Sequence, residues 1–128
     1  MPAAGREPRP LLLLVEDDPL LREALADYGT DLGFQVHAAA DGIEAMELIV
    51  SDDLRPVVIV LDLIMPSMDG WQLLAALERC DPLRPIPCIV ITGVKQHGLE
   101  HRHSTAVLPK PFALCDLTRE LQRHQLAH

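Results

Sequence analysis

Leu11-Leu-Leu-Leu-Val-Glu-Asp-Asp-Pro19 decides how the chain is read: five apolar residues in a row, then three acids, then a proline. An unbroken apolar run this short suits a strand buried on both faces, the kind found inside parallel sheets. Asp18 is a helix-capping residue type and Pro19 suits a first helical position. The spacing therefore predicts a helix immediately after the strand, with Leu21, Leu25, Tyr28 and Leu32 on one face until Gly33 stops it. The same alternation recurs on the way to the C-terminus. Gln35 to Ala39, Val57 to Leu61, Cys88 to Ile91 and Ala106 to Leu108 predict four more strands. Asp41-Gly-Ile-Glu44 is a capping-box pattern that opens a second helix ending near Ser51. Trp71, Leu74 and Leu77 predict a third helix after Asp69-Gly70, and Leu114, Leu117 and Leu121 a last one running to the C-terminus. Between Thr92 and Ala106 the apolar pattern lapses, and Gly93, Gly98 and three histidines leave room only for a short helix. Strands alternating with helices predict an α/β parallel sheet covered on both faces.

Composition narrows the function. A chain of 128 residues, 48% hydrophobic and 23% charged, supplies one core and is too short for a second independent domain. Residues 1–10 read as a flexible N-terminal tail and 11–128 as the domain. No apolar run exceeds five residues, so none spans a bilayer, and the opening Met1 to Pro10 has no apolar stretch resembling a signal peptide. A cytoplasmic address is expected. Nineteen acidic against eleven basic residues give a formal net charge of -8, and aromatics are only 3%, so neither phosphate-backbone attraction nor base stacking favours direct nucleic-acid binding. Cys80, Cys88 and Cys115 have no metal-type spacing and read as reduced thiols. His97, His101 and His103 read as solvated surface residues, because nothing beside them completes a metal site.

The strand ends carry the chemistry. Ligands of a doubly wound sheet bind outside the carboxyl ends of its strands, where the strand order reverses. The first strand ends in Glu16-Asp17-Asp18 and the third in Asp62, so carboxylates converge on one edge. Such a cluster either stays protonated or recruits a hard cation, and oxygen-only ligands suit Mg²⁺, with Mn²⁺ as a substitute. Thr92 brings a hydroxyl at the end of the fourth strand, and Lys110 an ammonium beyond the fifth. A carboxylate nucleophile, a metal, a hydroxyl and an ammonium together suit phosphoryl transfer through an aspartyl phosphate.

Leu14-Val-Glu-Asp-Asp18, Leu61-Asp-Leu-Ile-Met-Pro-Ser-Met-Asp-Gly70, Ile91-Thr-Gly93 and Lys110-Pro-Phe112, in that order and each at a predicted strand end, resemble the receiver domain of two-component response regulators. The resemblance implies a flavodoxin-like (βα)5 fold with strand order 2-1-3-4-5, here with a shortened or irregular fourth helix. It implies that Asp62 accepts phosphate from a sensor histidine kinase or a histidine phosphotransfer protein and passes the signal to a downstream protein. Asp17, Asp62, the backbone carbonyl of Ile64 and, through water, Glu16 would hold Mg²⁺. Thr92 and Lys110 would contact the phosphoryl group, and Pro111 would set the turn that aims the lysine. Asp18 falls outside the family's acid pair and is expected to cap the helix.

Two departures bear on output. Typical receivers carry Tyr or Phe three residues before the lysine, where this chain has Val107, so the usual aromatic switch is absent. The positions that shape acyl-phosphate lifetime in the family it resembles, two beyond the aspartate and two beyond the threonine, are here Ile64 and Val94, neither able to orient a water. Slow self-dephosphorylation is expected, with signalling through the 93–105 segment or by simple phosphate carriage. A Mg²⁺-dependent phosphohydrolase shares the chemistry but would need a second aspartate where Ile64 stands. A pseudo-receiver that acts by contacts alone is the other alternative. A stand-alone regulator and a receiver from a longer protein fit equally, and the Met1 start and His128 end lean toward the former.

Overall fold

The computed structural model describes residues 9–62, 72, 73, 75–77, 86–92, 104–109 and 111–127. Leu11–Val15 forms β1, Pro19–Asp31 α1, Gln35–Ala39 β2, Gly42–Met46 α2, Val58–Asp62 β3, Cys88–Thr92 β4, Ser104–Pro109 β5 and Leu114–Ala127 α3. Gln72, Leu73 and Ala75 to Leu77 are also helical, where a helix was expected. All five strands are parallel in the order β2-β1-β3-β4-β5, the doubly wound order implied by the sequence.

Side-chain alternation divides the strands between two cores. Leu13 and Val15 of β1, Ile59 and Leu61 of β3, and Cys88 and Val90 of β4 pack with Ala45 and Ile49 on one face, together with Leu73 and Leu77. Leu12, Leu14, Val58, Val60, Ile89, Ile91 and Leu108 pack on the other face with Leu25 of α1 and Leu117 and Leu121 of α3. Every residue of β3 is buried, which is why its sequence reads as a solid apolar run. Each fully buried Leu, Ile or Val contributes roughly 1.5–3 kcal/mol of transfer free energy.

The helix ends follow local chemistry. Asp18 caps α1 by accepting from the N–H groups of Leu20 at 3.0 Å and Leu21 at 3.4 Å, with Pro19 in the first turn. At α2, Asp41 accepts from the Glu44 N–H at 2.9 Å, but the Glu44 carboxylate reaches back to the N–H of Ala40, one residue before the cap. Beyond Met46 the helix widens into a π turn over Glu47–Ser51, ending where the spacing predicts. Gly33, at φ +106°, turns the chain out of α1. Beside it, Gln125 of α3 donates to the Leu32 carbonyl at 2.9 Å. Tyr28 and Thr118 hydrogen-bond between the same two helices, and the Thr118 hydroxyl donates onward to Leu114 O at 2.8 Å.

Three strand boundaries differ from expectation. The third strand is Val58–Asp62, one residue later than the apolar run, because the ladder continues through the acid: Asp62 pairs with Ile91. The fourth extends to Thr92 for the same reason, opposite Pro109. The fifth is Ser104–Pro109, twice as long as Ala106 to Leu108. An edge strand needs pairing on one side only, so polar Ser104 and Thr105 join it without an apolar signal. A bulge between Cys88 and Ile89 absorbs the extra residue. The expected short fourth helix, residues 1–8 of the expected tail, and Cys80 lie outside the described residues.

Two outcomes test this packing. A Cβ at Gly33 would stand 2.9 Å from the Gln125 amide and force a left-handed backbone on an L residue. Gly33→Ala is therefore expected to destabilise the fold by about 1–2 kcal/mol in urea unfolding. Burial pushes the Cys88 thiol up to about 12, whereas Cys115 is exposed. Iodoacetamide should alkylate Cys115 in the native protein and Cys88 only after denaturant is added, as read by peptide mass.

Candidate functional site

Two adjacent parallel strands bring the acids together. Val15 of β1 pairs with Leu61 of β3, so the next residues along, Glu16 just past β1 and Asp62 at the end of β3, stand at one level on the same edge of the sheet. Glu16 and Asp62 are the buried charged residues of the described chain, 2% and 7% exposed, while Asp17 is exposed. One carboxylate oxygen from each of Glu16, Asp17 and Asp62 lies within 4.8 Å of the others.

The 16–18 segment is held at several atoms. The Glu16 N–H donates to Ala39 O at 3.0 Å, tying the segment to the end of β2. One carboxylate oxygen of Glu16 accepts from the Asp18 N–H at 3.1 Å. Asp18 uses its carboxylate to cap α1 and is not a member of the acid group formed by Glu16, Asp17 and Asp62. Arg22, in the second turn of α1, donates from Nη1 to Glu16 O at 2.9 Å and to Asp17 O at 3.5 Å. Arg22 did not emerge from the sequence, because an arginine on an amphipathic helix reads as a solvated charge; its distance of six residues from Glu16 was the one available hint.

An all-oxygen donor set, two members anchored and one exposed, fits a hard cation such as Mg²⁺, which takes one or two carboxylates and keeps several waters. Three carboxylates at this spacing repel one another, and a divalent ion is the direct way to relieve that.

The remaining sequence candidates are placed less fully. The backbone of Thr92 ends β4 one residue beyond Ile91, the partner of Asp62, and so lies on the same edge of the sheet. Val107 is half-buried in β5, opposite Val90, and packs against the core on the α2 side. Ile64, Val94 and Lys110 lie outside the described residues.

Comparison with known proteins places this geometry. Residues 12–122 match the response regulator receiver domain family. The chain is 36% identical over 135 aligned positions to the transcription factor SKN7 of Chaetomium thermophilum, covering 100% of this chain and 17% of that protein. It is 38% identical over 120 positions to the response regulator MprA of Mycobacterium ulcerans, covering 87% of this chain and 48% of that one. It therefore spans less than half the length of these relatives. Among solved structures, the receiver domain of the Francisella response regulator 1452 superposes with a TM-score of 0.80 at 27% identity, over 92% of this chain and 98% of that one. Among the described residues no helix is long and apolar enough to cross a membrane. An acid cluster at the carboxyl ends of β1 and β3, a 2-1-3-4-5 parallel sheet and a family match over most of its length show that this chain belongs to the response regulator receiver domains of two-component signalling.

Proposed function

We propose that residues 11–128 act as a phosphoacceptor receiver, with 1–10 as a tail, modified on Asp62 by a sensor histidine kinase or a histidine phosphotransfer protein in the cytoplasm. The observation that carries this is the convergence of Glu16, Asp17 and Asp62 on one point at the strand ends. An Asp62 carboxylate oxygen attacks the phosphorus of the partner's phosphohistidine, the phosphorus–nitrogen bond breaks, and the imidazole leaves with its electron pair. Asp17, Asp62 and the Ile64 carbonyl, with Glu16 acting through water, would hold Mg²⁺. When bound, this ion supplies positive charge against the phosphoryl oxygens. Thr92 donates its hydroxyl to one phosphoryl oxygen and the Lys110 ammonium pairs with another. Burial of Asp62 limits water access to the acyl phosphate.

Turnover is confined to the protein's own phosphorylation and dephosphorylation, and the net acidic chain makes no direct nucleic-acid contact. The response regulators and transcription factors it resembles are longer proteins. Output here passes through a downstream protein partner. With Val107 in place of the usual ring, that output comes from rearrangement of the 93–105 segment or from phosphate carriage.

With Mg²⁺ and acetyl phosphate, intact mass should show a single phosphoryl adduct that is absent from Asp62→Ala and does not form when EDTA is present from the start. If no adduct forms and amide spectra do not change, the chain acts as a pseudo-receiver through contacts alone. The adduct should decay slowly, because Ile64 and Val94 offer no group to orient water. Ile64→Asn should shorten its lifetime by roughly tenfold, below the about 10²–10⁴-fold of a full general base. Fast decay in the unmodified protein would refute the roles given to these two positions.

A further inference from the structure

Among the described residues, Arg22 is the one cation whose side chain reaches the backbone of the acid loop. Its Nη1 donates to the carbonyl oxygen of Glu16 at 2.9 Å and lies 3.5 Å from that of Asp17, and the residue is half-buried against the loop. It bonds carbonyls and not carboxylates, which separates two consequences of its presence. As a charge, a guanidinium near three carboxylates competes with a cation and should weaken metal binding. As a clamp, it fixes the peptide planes that carry Glu16 and Asp17, and so the directions from which their carboxylates meet Asp62.

The clamp matters most at Asp17. Glu16 is already anchored through its N–H to Ala39 and through its carboxylate to the Asp18 N–H. Asp17 is exposed, and its backbone carbonyl accepts from the Arg22 guanidinium. Arg22 is in turn seated on α1, whose start is fixed by the Asp18 cap and whose Arg22 N–H donates to Asp18 O at 2.8 Å. The loop and the helix therefore form a closed circuit of hydrogen bonds: Glu16 carboxylate to Asp18 N–H, Asp18 O to Arg22 N–H, and Arg22 guanidinium back to Glu16 O.

We propose that Arg22 is a positioning residue of the divalent-cation site, preorganising the Glu16–Asp17 backbone so that the acids accept Mg²⁺, and that this gain outweighs the repulsion its charge exerts. The proposal rests on the metal role given above to Glu16, Asp17 and Asp62.

The sign of the effect on metal affinity decides it. MgCl₂ titrations of the whole, unphosphorylated chain, followed by amide chemical shifts, would compare wild type, Arg22→Met and Arg22→Lys, with urea unfolding in EDTA run in parallel. A clamp predicts that Arg22→Met binds Mg²⁺ about tenfold more weakly, the scale on which supporting residues act at metal sites, with Arg22→Lys in between. If Arg22→Met binds as tightly as wild type or more tightly, Arg22 acts only as a charge and the proposal is overturned. Should Arg22→Met fail to fold, Arg22→Lys decides: weaker binding than wild type supports the clamp, and equal or tighter binding refutes it. Wild-type protein that does not bind Mg²⁺ would instead overturn the metal site itself, and the proposal with it, whereas binding lost in Asp17→Asn but unchanged in both Arg22 variants would refute the clamp alone.

Discussion

Burying Glu16 beside Asp62 is the constraint around which the rest of this fold is arranged. Two carboxylates at 2% and 7% exposure, with a third within 4.8 Å, are costly to desolvate and repel one another. An apolar pair at the same positions would pack with no such cost, so the arrangement is not explained by stability. The surrounding elements limit the cost. The β1–β3 ladder ends at Val15 and Leu61 with five buried residues in β3 behind it, which leaves little freedom to separate the acids. The Asp18 N–H donates a hydrogen bond to the Glu16 carboxylate, and the N-terminal end of α1 lies next in the chain, where the helix dipole favours negative groups. An electrostatic cost of this sort, held in place by rigid neighbours, is what a functional site imposes on a fold.

The sheet was legible because its central strands are buried on both faces. Leu11 to Val15 and the run around Val57 to Leu61 can hardly be anything else, and once they are strands the acids that follow must share an edge. The Asp18-Pro19 start of α1 was equally plain, since capping depends on residue type at one position. What escaped the apolar pattern was pairing that needs no burial. Ser104 and Thr105 join the edge of the sheet through their backbones, and Thr92 extends β4 in the same way. Arg22 escaped for a different reason: its partners are carbonyl oxygens, which every residue has, so no side-chain type signals the contact. The π turn after Met46 likewise changes the hydrogen-bond ring without changing which residues face the core, and Ile49 stays buried as a regular helix would have it.

Val107 raises the question of how a change at Asp62 could be felt elsewhere. A half-buried valine opposite Val90 has a stiff χ1 and already contacts the core on the α2 side, so it cannot report by swinging inward and outward as a ring would. The strand ends, however, are joined by main-chain pairing: Asp62 to Ile91 in one ladder, then Thr92 to Pro109 in the next, with the lysine immediately after. Under the proposed phosphorylation of Asp62, a displacement of the Thr92 backbone would meet the end of β5 through the one β4–β5 ladder that pairs Thr92 with Pro109. The bulge between Cys88 and Ile89 sits at the opposite end of the same β4–β5 pair, leaving the pairs from Ile89 to Thr92 in unbroken register. Val107, fixed opposite Val90 in that same ladder and packed on the core, has no ring whose rotation could carry the change, which leaves the backbone at the strand ends as the element nearest Asp62 that could respond.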